Sequence, residues 1–71
     1  MTTSFRGFLW RHRRDDTPTG DVARDLRRDW CARGLRSPRS LRTHLISHDA
    51  SDAALRAFDA AVRAWRAEEA P

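Results

Sequence analysis

The feature that most constrains this chain is a stretch free of glycine and proline, from about Ser51 to Glu68, in which Leu55, Phe58, Val62 and Trp65 recur every three or four residues. That is the period of an α-helix with one buried face, and Ala54 and Ala61 widen the same stripe. A strand would need apolar residues at alternate positions, and no such alternation competes along the sequence. Asp49 or Ser51 can cap this helix, and Asp52 suits the positive end of its dipole. The stretch therefore predicts the spine against which everything else packs.

Three shorter helices are expected before it. The first runs from about Ser4 to Arg13, with Phe5, Phe8 and Leu9 on one face and Thr3 or Ser4 as the cap. The Pro- and Gly-punctuated run Asp15-Asp16-Thr17-Pro18-Thr19-Gly20 reads as a loop. The second helix covers about Asp21 to Arg33, capped by Thr19, with Val22, Ala23, Leu26 and Trp30 inward and Arg24, Arg27 and Arg28 outward. Gly34 follows it as a terminating glycine would. The third helix begins at Pro38, a residue that loses no hydrogen bond at the first helical position, and ends near Ser47. Leu41 and Leu45 share its face, with Ile46 beside them. The expected fold class is all-α: one compact four-helix domain spanning residues 1–71.

Length limits how such a domain can be held together. A 71-residue chain buries only about 60% of the surface its unfolded form exposes. The single cysteine, Cys31, excludes an internal disulfide, so the core must come from three Phe, three Trp and scattered aliphatics. One unpaired cysteine fits a reducing compartment. No apolar run approaches the ~20 residues of a membrane span. The Arg-bearing segment Met1–Arg14 lacks the apolar core and cleavage site of a signal peptide. The cytoplasm is the expected location.

Charge is distributed unevenly. All 14 basic residues are Arg. Residues 1–14 and 30–48 each carry four Arg and no acid, whereas residues 15–29 and 49–71 each carry three Arg against five acids. The pI of about 11.2 points to an anionic partner such as nucleic acid. Arg and Ala both have GC-rich codons, so genomic composition competes as an explanation of the total. The segregation of charge into acid-free segments is the stronger observation.

The residues and their order also resemble a known family. Ser4-Phe5 followed by Phe8-Leu9 and Arg11 is similar to the opening "SF..YL.K" of the YozE-like family, small bacterial proteins with a fold like the sterile alpha motif. Ala23 and Asp29 match its second helix and Leu45 the "YL" closing its third. Phe58-Asp59-Ala60-Ala61 matches the "FDEAW" of its last helix, thirteen residues after Leu45. Val62 stands where the family has Trp, and Trp65 follows one turn later. The resemblance covers about residues 4–66 and implies a sterile-alpha-motif-like four-helix fold; domains of that shape mostly bind proteins, sometimes RNA or DNA.

Four constellations bear on function. Arg33, Arg36, Arg39 and Arg42, three apart around the start of the third helix, form a candidate clamp for backbone phosphates, because guanidinium groups grip phosphate bidentately. Arg11, Arg13 and Arg14 can extend it. Trp10, among these arginines and off-centre from the Phe5–Phe8–Leu9 face, can stack on an unpaired base, anchor a protein interface, or pack partly against the fourth helix. His44 and His48 are four apart, but zinc would need further well-placed ligands, so no metal site is expected. Asp15-Asp16 and Cys31 lack the fixed neighbours that acid–base or nucleophilic catalysis requires. The reading is a non-enzymatic module without cofactor, membrane partner or small-molecule substrate. Its partner is a macromolecule: nucleic acid held by its phosphates, or alternatively a protein, including a second copy.

Overall fold

The computed structural model describes residues 3–29 and 32–70. Four helices follow one another: α1 (Phe5–Arg11), α2 (Pro18–Arg28), α3 (Pro38–Ser47) and α4 (Asp52–Glu69), with no strand among the described residues. The all-α four-helix architecture is as the sequence patterns indicate. Trp30 and Cys31, expected on the second helix, lie outside the described residues.

Each helix begins at a side-chain cap. The hydroxyls of Ser4, Thr17, Ser37 and Ser51 accept the backbone N–H groups of Gly7, Gly20, Ser40 and Ala54, each satisfying one donor that the first helical turn leaves over. Helix α2 departs from the sequence expectation at both ends. It starts at Pro18, with Thr17 rather than Thr19 as cap, because Thr17-Pro18 is the same cap-then-proline device as Ser37-Pro38. The stretch Pro18–Gly20, read as loop, is thus its first turn. The helix ends at Arg28 instead of Arg33: Asp29 has extended backbone angles. Gly34 has no positive φ and lies six residues beyond that end, in a turn where Leu35 N–H donates to Ala32 O at 3.0 Å. Helix α1 likewise stops at Arg11, before Arg13.

The core joins Phe5, Phe8 and Leu9 of α1 to Val22, Ala23 and Leu26 of α2, Leu41 of α3, and Phe58, Ala61 and Val62 of α4, with Ala32 from the α2–α3 segment. Phe5 is its centre. Its ring meets Phe58 edge-on at 5.6 Å between centroids and Trp65 at 5.5 Å, separations at which aromatic pairs attract beyond simple burial. Trp65 packs on the core while its indole N–H donates to Thr3 O at 2.7 Å, tying the N-terminus to α4. Leu55, expected in the α4 stripe, is half-buried and outside the core, and Ile46 is half exposed. The radius of gyration, 11.3 Å, is near the ~11 Å of a folded chain this long. No helix among the described residues is long and apolar enough to cross a membrane.

Two arginines act as staples. Arg6 of α1 donates through Nε to Leu35 O at 2.8 Å and through Nη2 to Ala32 O, pinning the α2–α3 segment to α1. Burial, with the charge of Arg36 nearby, lowers its pKa below the usual guanidinium value. Arg24 of α2 reaches back to the α1–α2 connection, donating to the carbonyls of Arg13 and Asp15, both at 3.0 Å.

Candidate nucleic-acid interface

Trp10 is the residue around which a site assembles. It follows Leu9 but points nearly opposite the Phe5–Phe8–Leu9 face, since consecutive helical residues are about 100° apart. Its exposure is 53%, unusual for a residue of this size. The partial burial against α4 considered from sequence is replaced by a setting between α1 and α2. The Arg13 guanidinium lies 3.9 Å and that of Arg27 4.8 Å from the indole centroid, both within cation–π range. Arg13 also donates to Trp10 O at 2.7 Å, which holds its side chain over the ring.

Two hollows adjoin this stack. One, of about 430 Å³, is lined only by arginines: Arg13, Arg14, Arg24, Arg27 and Arg28. The other, of about 230 Å³, has Leu9, Ala23 and Leu26 among its walls together with Trp10, Arg6, Arg13 and Arg27. Arg13 and Arg27 are common to both.

The local sequence explains the cluster. Arg24, Arg27 and Arg28 are spaced i, i+3, i+4, so one face of α2 presents all three. Arg13 and Arg14 follow the end of α1, and Arg27 and Arg28 occupy the last turn of α2, where helix dipoles favour cations. The α1–α2 connection is short and closed: Asp15 N–H donates to His12 O at 3.0 Å and its carboxylate meets His12 Nδ1 at 2.6 Å. It brings the two arginine groups together. Of the five, only Arg24 is ion-paired to a described carboxylate, that of Asp21; Arg13, Arg14, Arg27 and Arg28 are in no ion pair among the described residues.

The four arginines singled out around α3 have separate surroundings. Arg42 donates to both oxygens of Asp59 on α4, at 2.9 and 3.1 Å, so it is a strut between helices. That hydrogen bonding, reinforced by the charges of Arg42 and Arg63, holds the Asp59 carboxyl below its ordinary pKa, and raises that of Arg42. Arg33, no longer on a helix, borders a hollow with Arg6, Leu26, Arg27 and Asp29. Arg36 is the neighbour of Arg6, and Arg39 lies with Leu35, Thr43 and His44. Arg11 is paired with Glu68 of α4. Of the sequence candidates, Trp10, Arg13 and Arg14 come together. The sequence pattern places Arg24, Arg27 and Arg28 on the outer face of α2, and their i, i+3, i+4 spacing is the signal that joins them to the site.

His44 is occupied structurally. Its side chain is 8% exposed and its Nε2 lies 2.7 Å from Asp29 Oδ2, linking α3 to the end of α2, while the His48 ring packs 4.2 Å away. No cluster of three or more potential metal ligands occurs among the described residues. On the other flank of α2, a groove of about 440 Å³ is lined by Val22, Leu26, Leu45, Ala57 and Phe58, with Asp21, Arg24, Asp25 and Arg28 also contributing. Comparison of the chain with protein-family models, with curated proteins and with solved structures finds no match.

Proposed function

We propose that this protein is a non-enzymatic nucleic-acid-binding module of the cytoplasm that grips backbone phosphates through Arg13, Arg14, Arg27 and Arg28, with Arg24 held beside them. The observation that carries the reading is the all-arginine hollow between the end of α1 and the outer face of α2, four of whose five guanidinium groups are in no ion pair among the described residues. A phosphate need displace no described carboxylate from such groups, and their planar donors suit its oxygens. Arginines already paired, such as Arg42 and Arg11, would first have to surrender a carboxylate. Phosphate contacts position a nucleic acid without reading its sequence, so binding is sequence-indifferent and salt-sensitive.

The fold we propose to be of the YozE-like, sterile-alpha-motif-like kind. Supporting this, the apolar residues Phe5, Phe8, Leu9, Ala23, Phe58 and Ala61, among those that carry the resemblance, are core residues, and Leu45 packs partly buried against them.

Fluorescence anisotropy of labelled oligonucleotides titrated at several salt concentrations tests the function. The expected result is affinity that falls steeply with salt. On duplex DNA, each of the four arginines replaced by Ala should lower the log–log slope by about 0.9. Absence of binding at low salt refutes the proposal and leaves a protein partner, for which the α2 groove is an available surface.

A further inference from the structure

We propose that the hollow beside Trp10 receives an unpaired base, making the protein selective for single-stranded over duplex nucleic acid. This rests on the phosphate-binding reading but adds a second subsite to it. The two hollows differ in chemistry: one is wholly arginine, the other has Leu9, Ala23 and Leu26 among its walls and the half-exposed indole at its side. A nucleotide has the same division into an anionic and an aromatic part. With Arg13 and Arg27 lining both hollows, a strand can place its phosphate among the arginines and its base against the indole.

The stack is prepared before any ligand arrives. Arg13 is fixed over the Trp10 ring by its bond to Trp10 O, and Arg27 approaches the same ring from α2. A guanidinium plane is itself a surface on which bases stack, so a base added to this assembly extends an existing series of planar groups. In a duplex the base faces are covered by their neighbours along the helix, and a protein outside it reaches only edges and phosphates. The duplex can therefore use the arginine hollow but not the Trp10 hollow. DNA and RNA strands share the features recognised here, since neither subsite involves the ribose 2′ position.

The test uses the full chain and three labelled probes of one sequence: a single strand, its duplex, and the single strand with abasic sites, each in DNA, with an RNA single strand alongside. Wild type should bind the intact single strand more tightly than the abasic strand. Trp10→Ala should weaken single-strand binding about 5- to 150-fold, the range of one lost base stack, and weaken duplex binding by a clearly smaller factor, because Arg13 and Arg27 lose only their seat on the ring. Trp10→Phe, which keeps an aromatic face, should recover most of the loss. Equal binding of intact and abasic strands by wild type would overturn the base subsite, whatever the variant does. Salt-sensitive binding with no response to Trp10→Ala would overturn it while leaving the phosphate reading intact. No binding of any probe would overturn both. A parity of DNA and RNA is expected, and a large preference for either would contradict recognition by base face and phosphate alone.

Discussion

Gly20 is the position where a single methyl group should do most damage to the platform beneath the arginine cluster. It sits in the first turn of α2, buried against the α1–α2 connection, and its N–H donates to Thr17 Oγ1 at 3.1 Å. A Cβ there would fall inside contact distance of Asp15 O, 2.9 Å from the Asp15 carbonyl carbon and 3.1 Å from His12 O. Ordinary contacts begin at 3.4 Å, so the backbone of the connection must withdraw by about an ångström or more. The obstructing atoms are backbone, and Asp15 O also accepts from Arg24, so no rotamer change relieves the clash. Overpacking costs about 1–3 kcal/mol, and a clash with backbone that no rotamer relieves falls in the upper part of that range, about 2–3 kcal/mol. Replacing a helical Gly by Ala returns about 1 kcal/mol at most. Gly20→Ala should therefore lower stability by about 1–2 kcal/mol, which is roughly 4–16 °C in Tm for a domain of this size. Urea denaturation followed by far-UV circular dichroism measures it, with a reduced midpoint and an unchanged slope. Gly34→Ala is the control: nothing lies within 4 Å of its Cβ and its φ is not positive, so it should be neutral or stabilising by up to about 1 kcal/mol. If Gly20→Ala proves as stable as Gly34→Ala, the close approach of α2 to the connection is wrong.

Other consequences can be read from the core and its ion pairs. Phe58, 1% exposed at the junction of α1 and α4, should cost about 3–5 kcal/mol when replaced by Ala, leaving a domain this small largely unfolded by the same circular dichroism assay. The lowered pKa of Asp59 means that its pairing with Arg42 stabilises the fold above the ordinary carboxylate range, about pH 4. That contribution is lost as pH falls through the depressed value. In Arg42→Gln, NMR titration should find the Asp59 midpoint moved upward; an unmoved midpoint would dismiss the strut. Asp29→Ala removes the partner of the nearly buried His44 ring and should cost about 1–3 kcal/mol in denaturation experiments.

Periodicity and capping chemistry made most of the fold legible. The α4 stripe and the Ser37-Pro38 start both depend on local signals within a few residues, and α3 occupies Pro38–Ser47 as expected. The start of α2 was equally legible in Thr17-Pro18, but the density of turn-forming residues in 15–20 obscured it. Its end was not: no glycine or proline stands at Asp29 to mark the break.

The candidate site was half legible for a related reason. Sequence separation grouped Arg33, Arg36, Arg39 and Arg42, yet spatial grouping depends on which helices meet. The closed turn at His12–Asp15 sets Arg13 and Arg14 beside Arg24, Arg27 and Arg28, a juxtaposition that no single helix encodes. Likewise, whether an arginine is engaged depends on partners across the fold: Asp59 takes Arg42 and Glu68 takes Arg11 from 17 and 57 residues away.

The most direct test of the account is a ¹⁵N NMR titration of the whole protein with a short single-stranded oligonucleotide at low salt. Perturbed signals should map to the Trp10 indole N–H, Arg13, Arg14 and residues 24–28, while α3 from Arg39 to Ser47 stays unmoved. Shifts centred on Arg36, Arg39 and Arg42 with Trp10 silent would contradict it.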